Sequence, residues 1–100
     1  MAGRALIWSP EAKEDLDEIL AFYLERNGNS AYSVKLRSQI EKALNNVVSN
    51  PYLGQRWGKR SFRFVVVKPF QVFYRVTKTE IRVSAVWDGR RDLKTLKLTR

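Results

Sequence analysis

The chain has 100 residues, 44% of them hydrophobic, and a formal net charge of +9. It contains no Cys, so it has no disulfide, thiolate metal site or cysteine nucleophile, and no His, so the commonest general base and metal ligand is missing. Any catalysis must then rest on Arg, Lys, Tyr, Asp or Glu, and neither a cofactor nor a metal is expected.

In chain order, "ALIW" at residues 5–8 predicts a short strand. Ser9 suits a helix N-cap and Pro10 the first helical position. Ala12, Leu16, Ile19, Leu20, Tyr23 and Leu24 then recur at helical spacing and form one apolar stripe. Glu11, Glu14 and Asp15 fall in the first turns, where the helix dipole favours negative charge, and Asn27-Gly28 ends the helix. A second helix is predicted over 31–49, capped by Asn29 or Ser30 and stopped by Asn50-Pro51. Its stripe is Tyr32, Leu36, Ile40, Ala43, Leu44 and Val47. So short a link between two amphipathic helices predicts an antiparallel hairpin.

"PYLGQRWGKRS" reads as a loop punctuated by Pro51, Gly54 and Gly58. The apolar period then changes from 3.6 to 2 over three strands, 62–67, 70–76 and 81–87, with joints short enough for hairpins. The expected fold class is α+β: an N-terminal strand, then an antiparallel helical hairpin packed on an antiparallel sheet (β-α-α-β-β-β), in one domain over 1–100. Leu16, Leu20, Ile40, Leu44, Val72 and Val83 are the expected core where helices meet sheet.

Period 2 divides the sheet residues into faces. Phe62, Phe64, Val66, Phe70, Val72, Tyr74, Val76, Ile81, Val83, Ala85 and Trp87 form a nearly wholly apolar set, expected to meet the helices. Arg63, Val65, Val67, Gln71, Phe73, Arg75, Arg82, Ser84 and Val86 form a mixed set, expected to be a half-open surface that receives a partner. Charge is equally uneven. Residues 1–54 carry six basic and seven acidic side chains, and residues 55–100 carry thirteen and three, so the +9 resides in the second part as a local +10. Such asymmetry suits an acidic partner. The acidic cluster Glu14, Asp15, Asp17 and Glu18 sits mostly on the solvated side of a helix, which speaks against metal binding. No run approaches the roughly 20 apolar residues of a membrane helix, and "MAGRALIW" lacks the apolar core of a signal peptide. A soluble cytoplasmic protein with no membrane contact is expected.

"WSPEAKEDLDEI", "NPYLG", "FQVFYRV" and "RRD", in this order and spacing, resemble the RelE/ParE superfamily of type II toxin–antitoxin toxins, the ParE branch most closely. The resemblance covers nearly the whole chain. It implies a bacterial or archaeal toxin of a plasmid-stabilisation-like system, in a hetero-oligomer with a cognate antitoxin that neutralises it. Two target classes are implied. RelE-like toxins are ribosome-dependent endoribonucleases that cut mRNA. ParE-like toxins poison DNA gyrase and have no known nuclease activity.

RNA cleavage requires activation of a 2′-hydroxyl, protonation of the leaving oxygen and stabilisation of a phosphorane. In the RelE pattern a key arginine stands two residues after the Gly that opens the central strand, within "GYRLVY". The matching stretch here is "PFQVFY", which places Gln71 at that position. The segment after the last strand, "GRRDLKTLKLTR", supplies Arg90 and Arg91 but no Tyr or His. Of the four tyrosines, Tyr23 and Tyr32 lie on helices and Tyr74 on the core face, which leaves Tyr52 as the reachable one. The resemblance therefore implies a gyrase-binding toxin with no catalytic residues of its own. Its target- or antitoxin-binding set is Arg63, Gln71, Phe73, Arg75, Arg82, Arg90 and Arg91. The alternative, an mRNA interferase acting on the ribosome, would use Arg63, Arg75, Arg82 and Arg90, with Lys68 as acid. A plain structural role for Arg90 or Arg91, paired with Asp88 or Asp92, stands beside both.

Overall fold

The computed structural model describes residues 3–58, 61–96 and 98. The elements run β1 (Ala5–Trp8), α1 (Pro10–Asn27), α2 (Ala31–Ser49), β2 (Gln55–Trp57), β3 (Phe62–Val67), β4 (Phe70–Val76), β5 (Glu80–Asp88) and a single 3-10 turn, Leu93–Thr95. The expected α+β architecture is present, two helices on one sheet. Two features extend it. A fifth strand, β2, lies inside the predicted loop, and the sheet is mixed, in the order β1-β5-β4-β3-β2 with β1 parallel to β5.

Local chemistry sets the helices. The Ser9 side chain accepts a hydrogen bond from the Ala12 N–H at 3.0 Å, and Pro10 occupies the first helical position. Gly28, in the left-handed region at φ 71°, closes α1 by donating to the Leu24 carbonyl. At the start of α2 it is Asn29 whose side-chain oxygen accepts from the Ala31 N–H, at 3.0 Å, while the Ser30 side chain makes no capping bond. The hairpin is tied internally by Ser33, whose hydroxyl donates to the Leu20 carbonyl at 2.9 Å.

The helix stripes pack on one sheet face, burying Ala12, Leu16, Leu36, Ile40 and Leu44 against Val67, Phe70, Val72, Val83 and Val86. Leu20 packs at the margin of this core and is partly buried.

The face assignment needs two corrections. In β3 the phase is reversed: Val65 and Val67 turn toward the helices, and Phe62, Phe64 and Val66 lie on the far face. The hairpin dictates this, because Val67 and Phe70 pair directly across the two-residue Lys68-Pro69 turn and must share a face. In β5 the register shifts: Tyr74 pairs with Val83 but Phe73 with Ala85, leaving Ser84 as a bulge residue. Beyond the bulge, Val86 faces the helices, and Ala85 and Trp87 pass to the far face. The α1 helix compensates where β1 ends. Asp15 Oδ2 accepts the outward Val86 N–H at 3.1 Å, a backbone donor with no strand beside it.

Candidate functional site: a basic corner at the end of β5

The far sheet face is not open. Phe73, Ala85 and Trp87 are buried there, with Trp57 and Phe64 beside them, under Leu93, Leu96 and Leu98 of the chain's own C-terminal segment. Trp57 and Phe64 flank Phe73 at ring-centroid distances of 5.5 and 5.4 Å. Phe73 is 0% exposed, so it is a core residue and not the partner contact expected from its parity.

The polar residues of this face lie around that cover. Arg75 and Arg82 are direct cross-strand partners, in a row with Phe62 and Ile7, and Arg82 reaches Glu80 at 3.6 Å. Gln71 is paired between Val66, which is 53% exposed, and Trp87. Trp87 Nε1 is buried and finds no acceptor among the described residues.

Arg63 is elsewhere. It pairs with Tyr74, so it belongs to the helix side of the sheet. There its Nη1 donates to the Gly54 carbonyl at 2.8 Å and its guanidinium stacks on Tyr52. The expected set Arg63, Arg75, Arg82 and Arg90 is therefore split between two faces and a corner.

That corner is made by the β5 exit. Gly89 donates its N–H to the Pro69 carbonyl at 2.8 Å, and a Cβ at this position would stand 2.8 Å from the same oxygen. Only glycine lets the backbone approach so closely. The turn presents Arg90, whose Nε donates to Asp88 Oδ1 at 2.9 Å and whose Nη2 donates to Oδ2 at 2.7 Å. This is a two-pronged guanidinium–carboxylate pair. The Arg90 hydrogen bond holds the Asp88 carboxyl below its usual range, and Asp88 in turn holds the Arg90 guanidinium charged. The structural role foreseen for Asp88 is thus present. It fixes the direction of Arg90 without hiding it, since 66% of the Arg90 side chain stays exposed. Arg91 lies over the Trp87 ring, 4.4 Å from its centroid. Asp92 is spent locally, capping the 3-10 turn by accepting from the Lys94 N–H.

Between this corner and α1 runs a groove of about 300 Å3. Its apolar wall is Phe22, Tyr23 and Phe70, and Arg26, Arg90 and Arg91 bring cations to it. Phe22 is 54% exposed. Three residues of this region carry more than their sequence pattern indicates. Tyr23 belongs to the helix stripe, yet its hydroxyl stands 3.5 Å from Arg90 Nη2 and its ring packs edge-on to Phe70. Phe22 stands outside that stripe. Asp15 lies in an acidic cluster, although its spacing from Ala12 and Ile19 sets it on the edge of the buried stripe. Burial raises the Asp15 carboxyl above its usual range, against the opposing pull of the Val86 N–H, with Glu18 and Glu14 pushing further up and Arg91 down.

The corner supplies fixed cations, a stacked aromatic and an apolar groove. These are means of holding an acidic or mixed partner. Its protic groups among the described residues are the Tyr23 hydroxyl, close to a guanidinium already engaged with the Asp88 carboxylate, and the Glu18 carboxyl on the groove wall.

The model of the ParE toxin of the type II toxin–antitoxin system parDE matches residues 6–93. Toxin ParE3 of Caulobacter vibrioides is 33% identical over 96 residues, covering 91% of this chain and 91% of that protein. Among solved structures, a chain of the chromosomal ParDE TA system from P. aeruginosa superposes with a TM-score of 0.74 at 22% identity, covering 85% of this chain and 95% of that one. The YoeB dimer from Staphylococcus aureus gives 0.62 at 17% identity, covering 86% and 97%. At such identities the two structures speak to the fold alone.

Proposed function

The chain belongs to the ParE family of type II toxin–antitoxin toxins, and from that premise we propose that it arrests DNA gyrase by binding, under the control of a cognate antitoxin. The observation that carries this reading is the make-up of the arginine-bearing face. Arg75 and Arg82 have Phe62 and Ile7 as row neighbours, and Gln71, standing where the RelE pattern has arginine, sits between Val66 and Trp87. The carboxylate beside them, Glu80, is engaged with Arg82 at 3.6 Å, and Arg63 is on the other face. Arginines whose neighbouring carboxylate is already spent on an ion pair suit binding better than the two proton transfers of RNA cleavage.

The antitoxin follows from charge and cover. The +10 of residues 55–100 and the groove beside Phe22 suit an acidic amphipathic segment, which would meet both the helical hairpin and the basic corner in a hetero-oligomer. On this reading the protein works in the cytoplasm, where gyrase is. Among the described residues no helix is long and apolar enough to cross a membrane.

The experiment is induction without antitoxin, followed by parallel measurement of replication and of mRNA 5′ ends. Early replication arrest with filamentous cells, and translation failing only later, is expected. Codon-positioned mRNA cuts within minutes, abolished by Arg75→Ala, would establish the ribosome and its mRNA as the target instead.

A further inference from the structure

A second cationic site lies on the helix side of the sheet, at the end the helices leave uncovered. The α2 helix stops at Ser49, and the chain returns through 50–54 to enter β2. Arg56 of β2 and Arg63 of β3 are direct cross-strand partners, so the two side chains share a face. Like charges so placed repel each other. The ion pairs among the described residues lie elsewhere, at Arg37–Glu41, Arg82–Glu80 and Arg90–Asp88.

The site is also built. Tyr74, 0% exposed, accepts from the Gly54 N–H at 2.8 Å and donates its hydroxyl to the Pro51 carbonyl at 2.9 Å. A Cβ at Gly54 would fall 2.6 Å from that hydroxyl, so only glycine permits the bond. The loop is thereby pinned to the sheet. Arg63 is oriented by the Gly54 carbonyl and by the Tyr52 ring, whose centroid is 5.1 Å from the guanidinium carbon. The result is a cavity of about 270 Å3 at the sheet edge, bounded by Tyr52, Arg56, Ser61, Phe62, Arg63 and Val76. Arg56 is exposed, and Tyr52 keeps 60% of its surface open.

We propose that this cavity binds the phosphodiester backbone of single-stranded nucleic acid. Arg56 and Arg63 face the phosphate oxygens, Ser61 adds a hydroxyl donor, and the open surface of Tyr52 receives the neighbouring base. A phosphate relieves the repulsion of the arginine pair, and the guanidinium fork matches its geometry. A carboxylate would satisfy the arginines alone. The exposed ring beside them selects a nucleotide, and one whose base is free to stack, as in a single strand. This inference stands apart from the gyrase and antitoxin contacts proposed for the Arg75–Arg82 face and the β5 corner, and its test uses neither gyrase nor antitoxin.

The test is fluorescence anisotropy with the purified full chain and a labelled DNA strand of about 12 nucleotides, a length within known single-strand site sizes. Arg56→Ala is the main variant, because Arg56 makes no side-chain hydrogen bond or ion pair among the described residues. Lys35→Ala, on the exposed side of α2, controls for the loss of one charge. Circular dichroism checks that each variant is folded. Arg56→Ala is expected to weaken binding about tenfold and to flatten the salt dependence by about 0.7 in log–log slope. Lys35→Ala should leave both nearly unchanged. Tyr52→Ala should cost about fivefold or more, and duplex DNA should bind less tightly than the single strand. Equal losses from Arg56→Ala and Lys35→Ala would overturn the site. Equal binding of duplex and single strand with Tyr52→Ala silent would overturn the ligand.

Discussion

On the helix side of the sheet, Leu36, Ile40, Leu44 and Val47 lie over Val72, Tyr74, Ile81 and Val83, each 1% exposed or less. On the far side, Phe64, Phe73, Ala85 and Trp87 are covered by three leucines, Leu93, Leu96 and Leu98, carried on a segment with one 3-10 turn. The first cover is two capped helices of 18 and 19 residues, held by their own backbone ladders. The second has no ladder, leaves Val66 half exposed, and leaves the buried Trp87 Nε1 without an acceptor among the described residues. An unmet buried donor costs about 1–3 kcal/mol. One face is thus built for stability. The other keeps its arginines and its Trp87 corner close to solvent, where a partner can reach them.

This contrast can be broken by mutation, and the largest effect belongs to the helix side. Leu44→Ala, at a position with 0% exposure, is expected to lower unfolding stability by about 2–5 kcal/mol in urea titration. A loss below about 1 kcal/mol would mean the helix side relaxes as easily as the far side.

Next comes the joint between α1 and the β5 bulge. Asp15→Ala leaves the buried Val86 N–H without its acceptor and should cost about 1–3 kcal/mol. Asp15→Asn keeps an acceptor oxygen and should cost less. Both variants also remove a titrating group, which gives the pH effect a definite sign. Burial raises the Asp15 carboxyl above 3.8, so its contribution is fully present below that pH and is lost as pH rises through the folded-state value. The stability of Asp15→Asn relative to the parent should therefore improve as pH rises through the window above 3.8. Asp88 acts oppositely. Its carboxyl is held below 3.8 by Arg90, so its contribution is present above that pH and is lost as pH falls through the lowered value. Urea midpoints measured on both sides of pH 4 resolve the two.

The smallest stability effect is expected at the far cover. Leu96 is half-buried, and Leu96→Ala should cost about 1 kcal/mol. It should also raise the fluorescence response of the tryptophans to soluble quencher more than Leu44→Ala does, because Trp57 and Trp87 lie under that cover. Equal quenching in the two variants would show that the cover does not shield them.

These differences were unequally legible in the sequence. The helices were readable because stripe, cap and stop agreed at Ser9, Pro10 and Gly28. The three-residue β2 was hidden between Gly54 and Gly58, too short to display a period. The phase of β3 is encoded in the two-residue joint, which makes Val67 and Phe70 neighbours on one face, a constraint that alternation alone does not weigh. The bulge at Ser84 left no signal, since "VSAV" fits either phase. The C-terminal cover was present as Leu93, Leu96 and Leu98, but scattered among lysines and threonines with neither a helical nor a strand period. For the candidate site, Arg90 and Arg91 stood out as charges, and the sequence left open which of them pairs with Asp88 or Asp92, a choice the structure makes as Arg90 with Asp88. That Arg63 lies across the sheet, and that Tyr23 and Phe22 border the corner, depended on a register and a helix packing that spacing does not encode.

The most direct test of the account is gyrase supercoiling with the purified chain and with Arg90→Ala/Arg91→Ala. Alanine is chosen because a new carboxylate at position 90 would confront Asp88. The parent is expected to inhibit supercoiling or to trap cleaved DNA on gyrase. The double variant is expected to lose that effect while keeping its circular dichroism, with the urea midpoint lowered only slightly, since both side chains are exposed and an exposed pair such as Arg90–Asp88 adds little to stability. A folded double variant that inhibits gyrase as well as the parent, or a parent that leaves gyrase untouched while arresting cells, would contradict the central claim.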